Sequence, residues 1–142
     1  MKTVRDILKV KGYDVCSIEP GASVFDALKL MAEKEIGALV VLEGNKVVGL
    51  ISERDYARKV VLQGRASPTT QVREIMTNRI AYVHPEQNVE ECMALVTEKR
   101  IRHLPVMDGE KLVGIISIGD LVKSIISEQK FIIEQLERYI TG

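Results

Sequence analysis

Two short segments hold the residues best placed for ligand chemistry: Gly49-Leu50-Ile51-Ser52-Glu53-Arg54-Asp55 and Gly114-Ile115-Ile116-Ser117-Ile118-Gly119-Asp120. Each ends a run of apolar, β-type residues and opens a helical pattern, so each Ser-x-x-Asp falls on a strand-to-helix turn. Two roles fit such a turn. The serine hydroxyl and the carboxylate can simply cap the helix, satisfying its first free amides. Alternatively, the free N–H groups and the positive end of the helix dipole suit a phosphate or another polar ligand edge. A carboxylate in the first turn can then accept both hydroxyls of a ribose. Capping is enough to explain one copy, whereas recurrence of the motif favours the ligand role.

The two segments differ in ways that bear on a ligand. Gly119 precedes Asp120 and leaves room for a sugar to approach the backbone, whereas Arg54 stands before Asp55. Arg54 and Arg58 are four apart, share a helix face and suit bidentate clamping of a phosphate. The plainer alternative pairs them with Glu53, Asp55 or Glu98 on a solvated surface, where ion pairs contribute little. The favoured arrangement puts ribose on Asp120 and phosphates on Arg54 and Arg58 of the other copy, with Asp55 as a possible second nucleotide site. His103 lies among Arg100, Arg102 and Pro105, and suits either a ligand contact or a plain surface position. His84 precedes Pro85 in a turn and is expected to be exposed. Neither histidine has cysteine or carboxylate neighbours at metal-ligand spacing, so no metal is expected. Cys16 and Cys92 read as reduced packing thiols rather than a disulfide or a metal pair.

The elements that position these motifs form an internal repeat. Shifted by 65 residues, Ile18–Tyr56 lies over Val83–Leu121 without a gap: Pro20 meets Pro85, Val24 meets Val89, Ile36 meets Ile101, Gly44 meets Gly109 and Asp55 meets Asp120. Upstream, Val4-Arg5-Asp6-Ile7-Leu8 echoes Val72-Arg73-Glu74-Ile75-Met76 at a shift of 68. The first copy therefore carries three extra residues near Lys11-Gly12-Tyr13. Each copy predicts a short strand (Val15–Ile18; Ile80–Val83), a proline-led turn, then a helix opened by Ser23-x-x-Asp26 or Asn88-x-x-Glu91. The helix is followed by a hairpin, Ala38–Leu42 with Val47–Ile51 or Leu104–Met107 with Leu112–Ile116, and then by a final helix. The boundaries read as a first motif over 1–62, a linker over 63–70, a second motif over 71–127 and a helical extension over 128–142. A β-α-β-β-α unit of this size buries little apolar surface alone. The expected class is therefore α+β, with the two motifs packed sheet to sheet as a pseudo-two-fold pair and two equivalent clefts between them.

This tandem plan, with GLISERD and GIISIGD closing the copies, resembles a pair of CBS domains, the Bateman module, over nearly the whole chain. Ser52 to Lys59 and Lys99 to Val106 are most similar to small stand-alone bacterial members. The resemblance implies binding of AMP, ADP, ATP, NAD or NADH, or S-adenosylmethionine. It also implies that Asp55 and Asp120 hold ribose hydroxyls, with Ser52 and Ser117 near ribose or phosphate. Val15-Cys16 and Ile80-Ala81, together with Ile36-Gly37-Ala38 and Arg102-His103-Leu104-Pro105, would surround the base.

Composition narrows the function further. Lys plus Arg equals Asp plus Glu at 20 each, so no global field draws the chain to nucleic acid or membrane. With no Trp and two Phe, a stacking platform for single strands is not expected. The leading residues meet charge before any apolar run, which predicts no signal peptide and a cytoplasmic protein. No nucleophile elbow, Walker loop or dinucleotide fingerprint occurs, so an enzyme is not expected. The amphipathic tail Leu121–Ile140 exceeds what one small module covers. It either folds back on its own sheet or, as preferred, pairs two subunits as a homodimer. The resulting expectation is a nucleotide sensor acting in trans on an unknown effector protein, the alternative being a ligand-free interaction scaffold whose Ser-x-x-Asp turns only cap helices.

Overall fold

The computed structural model describes residues 2–141, so the outermost residue at each end of the sequence boundaries above lies outside it. The chain forms two compact units, one of Asp14–Ile80 and one of Met1–Tyr13 with Ala81–Gly142.

The first of these contains β1 (Ser17–Ile18), α2 (Val24–Lys34), β2 (Ala38–Glu43), β3 (Lys46–Ser52), α3 (Glu53–Tyr56) with a π-helical turn over Ala57–Val61, and α4 (Val72–Ile75). Its sheet has the order β1-β2-β3, parallel between β1 and β2 and antiparallel in the hairpin. Val24, Ala27 and Met31 of α2, at helical spacing, close over Leu39, Val41 and Ile51 of the sheet, joined by Val60, Val72 and Ile75. Ser23 caps α2 by accepting the amide of Asp26 at 3.0 Å, as its sequence position predicts.

The other unit contains α1 (Val4–Lys11), α5 (Val89–Lys99), the antiparallel hairpin β4 (His103–Asp108) and β5 (Lys111–Ser117), and α6 (Ile118–Thr141). Its core joins Val4, Ile7 and Leu8 of α1 to Val89, Cys92 and Val96 of α5 and to Leu104, Val106, Ile116 and Leu121. Both hairpins turn through a glycine at φ +63°, Gly44 and Gly109, and both carry a bulge at the same repeat position.

Sequence repeat and compact unit do not coincide. The leading segment of each repeat is built into the unit that holds the other repeat's sheet, and backbone pairing explains how. Val4 and Arg5 donate their amides to the carbonyls of Gln87 and Pro85, and Val89 donates to Lys2. Val72 and Arg73 likewise donate to Ala22 and Pro20, and Val24 donates to Thr70. Each leading helix and the helix it meets thus satisfy one another's first, otherwise free amides. The 63–70 stretch takes part in this pairing, since Ser67 and Thr70 accept the amides of Phe25 and Val24.

Both opening strands are shorter than predicted, the first copy's Val15–Ile18 being limited to Ser17–Ile18. The second copy's opening strand, Ile80–Val83, reduces to a single parallel bridge between Val83 and Val106. In the first copy Val40 donates its amide to the carbonyl of Cys16 at 3.2 Å. The residue equivalent to Val40 is Pro105, which has no amide to give to Ala81.

The tail does not fold back among the described residues. It is one continuous helix, α6, whose first turns bury Leu121 and Ser124 and pack half-buried Ile125 against the core, and whose described residues from Gln129 onward are exposed. Among the described residues, no helix is long and apolar enough to cross a membrane.

Candidate functional site

Both Ser-x-x-Asp turns stand where the sequence predicts, between the second hairpin strand and the helix that follows. At Asp120, Oδ2 accepts the Ser117 amide at 2.8 Å and the Ser117 hydroxyl at 3.0 Å, while the Asp120 amide donates back to Ser117 Oγ at 3.2 Å. At Asp55 the same three bonds measure 3.0, 3.0 and 3.2 Å. The capping role is therefore filled in both copies. The surrounding backbone repeats too: Glu53 donates to the Gly37 carbonyl at 3.1 Å and Ile118 to the Arg102 carbonyl at 2.9 Å. The 36–38 segment, and in the other unit the 102–105 segment, thus sit against the turn of their own unit.

The copies differ in the second carboxylate oxygen. Asp55 Oδ1 accepts the Thr77 hydroxyl at 3.2 Å and pairs with Lys59 Nζ at 3.3 Å. Asp120 Oδ1 has no hydrogen-bond partner among the described residues, because its ammonium partner, Lys11, lies 2.7 Å from Oδ2 instead. Lys11 Nζ also donates to the Ile115 carbonyl at 2.8 Å, and Lys59 Nζ to the Ile75 carbonyl at 2.9 Å. Burial pushes the Asp120 pKa up, but the bonds from Lys11 and Ser117 outweigh it and hold the carboxyl below its ordinary range. At neutral pH this group is an ionised acceptor with one oxygen still open, 18% of its side chain reaching solvent. A Cβ at Gly119 would meet only Ser117 Oγ, at an ordinary 3.5 Å, so the chain's own packing does not require glycine there.

The other expected residues differ in burial and in partners. Arg54 and Arg58 are exposed, with no ion pair or hydrogen bond among the described residues, and it is Lys59, not either arginine, that takes Asp55. The simple i,i+4 helical face expected for them is altered, since Arg58 lies on the wider π-helical turn after α3. His103 is half-buried at the start of β4, opposite Ser117 across the hairpin. Burial, then the neighbouring charge of Lys11, push its pKa down against the pull of Asp120, so the ring is neutral at pH 7. Arg102 is exposed, Pro105 is buried, and Leu104 is committed to the core. Ala81 is half-buried against that same core, while Ile80 belongs to the other unit. Ile36 is half-buried and Ala38 buried. His84 is exposed, with Nδ1 3.4 Å from the Met107 carbonyl oxygen. Both cysteines are free, and no group of three or more His, Cys, Asp or Glu among the described residues could hold a metal.

Sequence reasoning missed Lys11, Thr77 and Lys59. Lys59 had a readable signal, its i,i+4 spacing from Asp55. Lys11 and Thr77 had none, because each reaches its carboxylate from a leading segment built into the other repeat's unit.

Comparison with known proteins agrees with this architecture. The CBS domain family model matches residues 4–62 and 72–127. The mitochondrial CBS domain-containing protein CBSX3 of Arabidopsis thaliana is 39% identical over 99% of this chain and 72% of its own length. A putative signal-transduction protein with CBS domains from Burkholderia ambifaria is 56% identical, with a TM-score of 0.87 over 90% of this chain and 96% of that one. More distantly, the CBS domain pair of protein MJ0100, in complex with 5′-methylthioadenosine and S-adenosylmethionine, shares the fold at 24% identity. Its TM-score is 0.81 over 90% of this chain and 98% of that one. Two repeats built on one β-α-β-β-α plan, each closed by a Ser-x-x-Asp turn, place this chain in the CBS domain family.

Proposed function

We propose that this chain is a non-catalytic, cytoplasmic sensor of adenine nucleotide, AMP or else ADP, ATP, NAD or NADH, that acts in trans on an effector protein. The observation that carries this reading is the open oxygen of an otherwise fully bonded Asp120. A helix cap needs one carboxylate oxygen, and Oδ2 already supplies it. The ionised, solvent-accessible Oδ1 is left for a ligand donor such as a ribose hydroxyl, and Gly119 leaves the approach clear. Asp55, with both oxygens occupied, is the weaker ribose site. Ser52 and Ser117 fix the carboxylates. Arg54 and Arg58, exposed and unpaired among the described residues, are the proposed phosphate ligands. The proposed base contacts are Ala81 and the 102–105 segment in the unit of Asp120, and Ile80 and the 36–38 segment in the unit of Asp55.

Two copies pair through α6. Val122, Ile126, Ile133, Leu136 and Ile140 expose 41 to 79% of their surface along one helix, a stripe that pairing would bury. Replacing Ile126 and Ile133 by glutamate should give monomers in analytical ultracentrifugation without lowering helix content, whereas an unchanged mass would remove α6 from the interface.

The completed capping at both turns favours a second reading, a ligand-free scaffold. A thermal-shift panel of AMP, ADP, ATP, NAD, NADH and S-adenosylmethionine separates the two. A nucleotide at 100 times its Kd stabilises the fold by about 2.7 kcal/mol. No shift with any of the six would leave the scaffold.

A further inference from the structure

We propose that Lys11 makes the Asp120 site select ligands that carry a negative charge, admitting adenosine phosphates over the neutral nucleoside and over the cationic sulfonium of S-adenosylmethionine; this rests on the ribose reading of Asp120. Lys11 is the last residue of α1, followed by Gly12 at φ +105°. Its ammonium has three hydrogens to donate. Two are placed, on Asp120 Oδ2 at 2.7 Å and on the Ile115 carbonyl at 2.8 Å, and the third has no acceptor among the described residues. Any group bound to Asp120 Oδ1 therefore lies beside a fixed positive charge with one donor unused. A phosphate oxygen accepts that donor as a charge-assisted bond. A neutral nucleoside meets that donor only with uncharged hydroxyl or ring-nitrogen acceptors, and S-adenosylmethionine, whose sulfonium and ammonium outweigh its single carboxylate, brings a net positive charge beside it. Half-buried His103 adds no competing cation near neutral pH, because burial and the Lys11 charge keep its ring neutral.

The first copy also brings a lysine to its carboxylate, from a position the repeat does not relate to Lys11, but onto the other oxygen, Oδ1. Lys59 Nζ bridges Asp55 and the Ile75 carbonyl, at 3.3 and 2.9 Å. In each copy a lysine thus joins the carboxylate to a backbone carbonyl, although a capped helix needs neither, and only the Lys11 arrangement leaves Oδ1 open.

The test is calorimetric titration of the full chain with adenosine, AMP and S-adenosylmethionine, for the wild type and for Lys11→Met and Lys11→Arg. Loss of one charge-assisted bond should weaken AMP about tenfold in Lys11→Met while adenosine changes by less than about twofold. S-adenosylmethionine should bind the variant at least as tightly as it binds the wild type, and Lys11→Arg should keep the preference for AMP. If Lys11→Met does not fold, Lys11→Gln serves the same comparison. Equal weakening of adenosine and AMP would show that Lys11 only props up Asp120, and would overturn the selection while leaving the nucleotide reading intact. A wild type that binds none of the three would overturn both.

Discussion

Adding one methyl group at Gly114 tests whether α1 is built into the second repeat's unit. A Cβ there would lie 2.7 Å from Leu8 Cδ2 and 3.1 Å from Cδ1, closer than side chains tolerate. Leu8 is 1% exposed, so it has little freedom to retreat. Gly114→Ala should therefore cost about 1–3 kcal/mol from overpacking, partly offset by the roughly 0.4–1 kcal/mol that alanine gains by restricting the unfolded chain. Leu8→Ala alone removes a buried leucine and should cost about 2–5 kcal/mol. In the double variant the clash is gone and the new methyl fills part of the cavity, so the two costs should fall short of additivity by at least about 1 kcal/mol. Urea unfolding of the four proteins measures this directly. Val10→Ala is the control, because Val10 lies on the same helix but is 92% exposed and should change stability by less than about 0.5 kcal/mol. Additivity within about 0.5 kcal/mol, or a Leu8→Ala cost no larger than the control, would refute the packing of α1 on β5.

Further outcomes follow from the site and its surroundings. Gly119→Ala should leave stability unchanged or raise it by up to about 1 kcal/mol, since helical alanine is favoured over glycine, yet weaken AMP; equal affinity would mean that no ligand approaches there. Because the folded pKa of His103 is lowered, its contribution is complete above the unfolded value near 6.5 and is lost as pH falls from there through the folded pKa. Wild type should consequently lose stability relative to His103→Gln in urea titrations run at successively lower pH, and parallel curves would contradict that sign. Burial pushes the Cys92 thiol up to about 11, whereas Cys16 is half-buried. A disulfide reagent at pH 8 should therefore react with Cys16 first and reach Cys92 only on unfolding; comparable rates in the native state would show that the interior around Cys92 opens.

Much of the fold is legible in the sequence, and physical reasons separate what is legible from what is not. The repeat, both hairpins, helices α2 and α5 and the two Ser-x-x-Asp turns all follow from local periodicity and turn chemistry. Val24, Ala27 and Met31 are buried where their spacing puts them. Exchange of the leading segments was not readable, because apolar spacing at Val4, Ile7 and Leu8 identifies a buried face but not the sheet it covers. The missing strand before Pro85 had a sequence cause at a distance, the proline at 105 in a strand whose pairing was not yet known. At the site, the motif residues were found by type and spacing. The side chains that set the character of each carboxylate, Lys11 and Thr77, arrive from segments that sequence separation hides. Gly119 and the arginines distinguish the two copies in the sequence, and the open Oδ1 of Asp120 distinguishes them in the structure.

The central claim is that Asp120 holds a ribose, and titration of AMP against 2′-deoxy-AMP tests it most directly. Wild type should bind AMP about tenfold or more tightly, since a hydroxyl bonded to a carboxylate contributes about 1.5–3 kcal/mol. In Asp120→Ala the two ligands should bind alike and weakly. Equal affinities in the wild type, or a preference for AMP that survives in Asp120→Ala, would contradict the account.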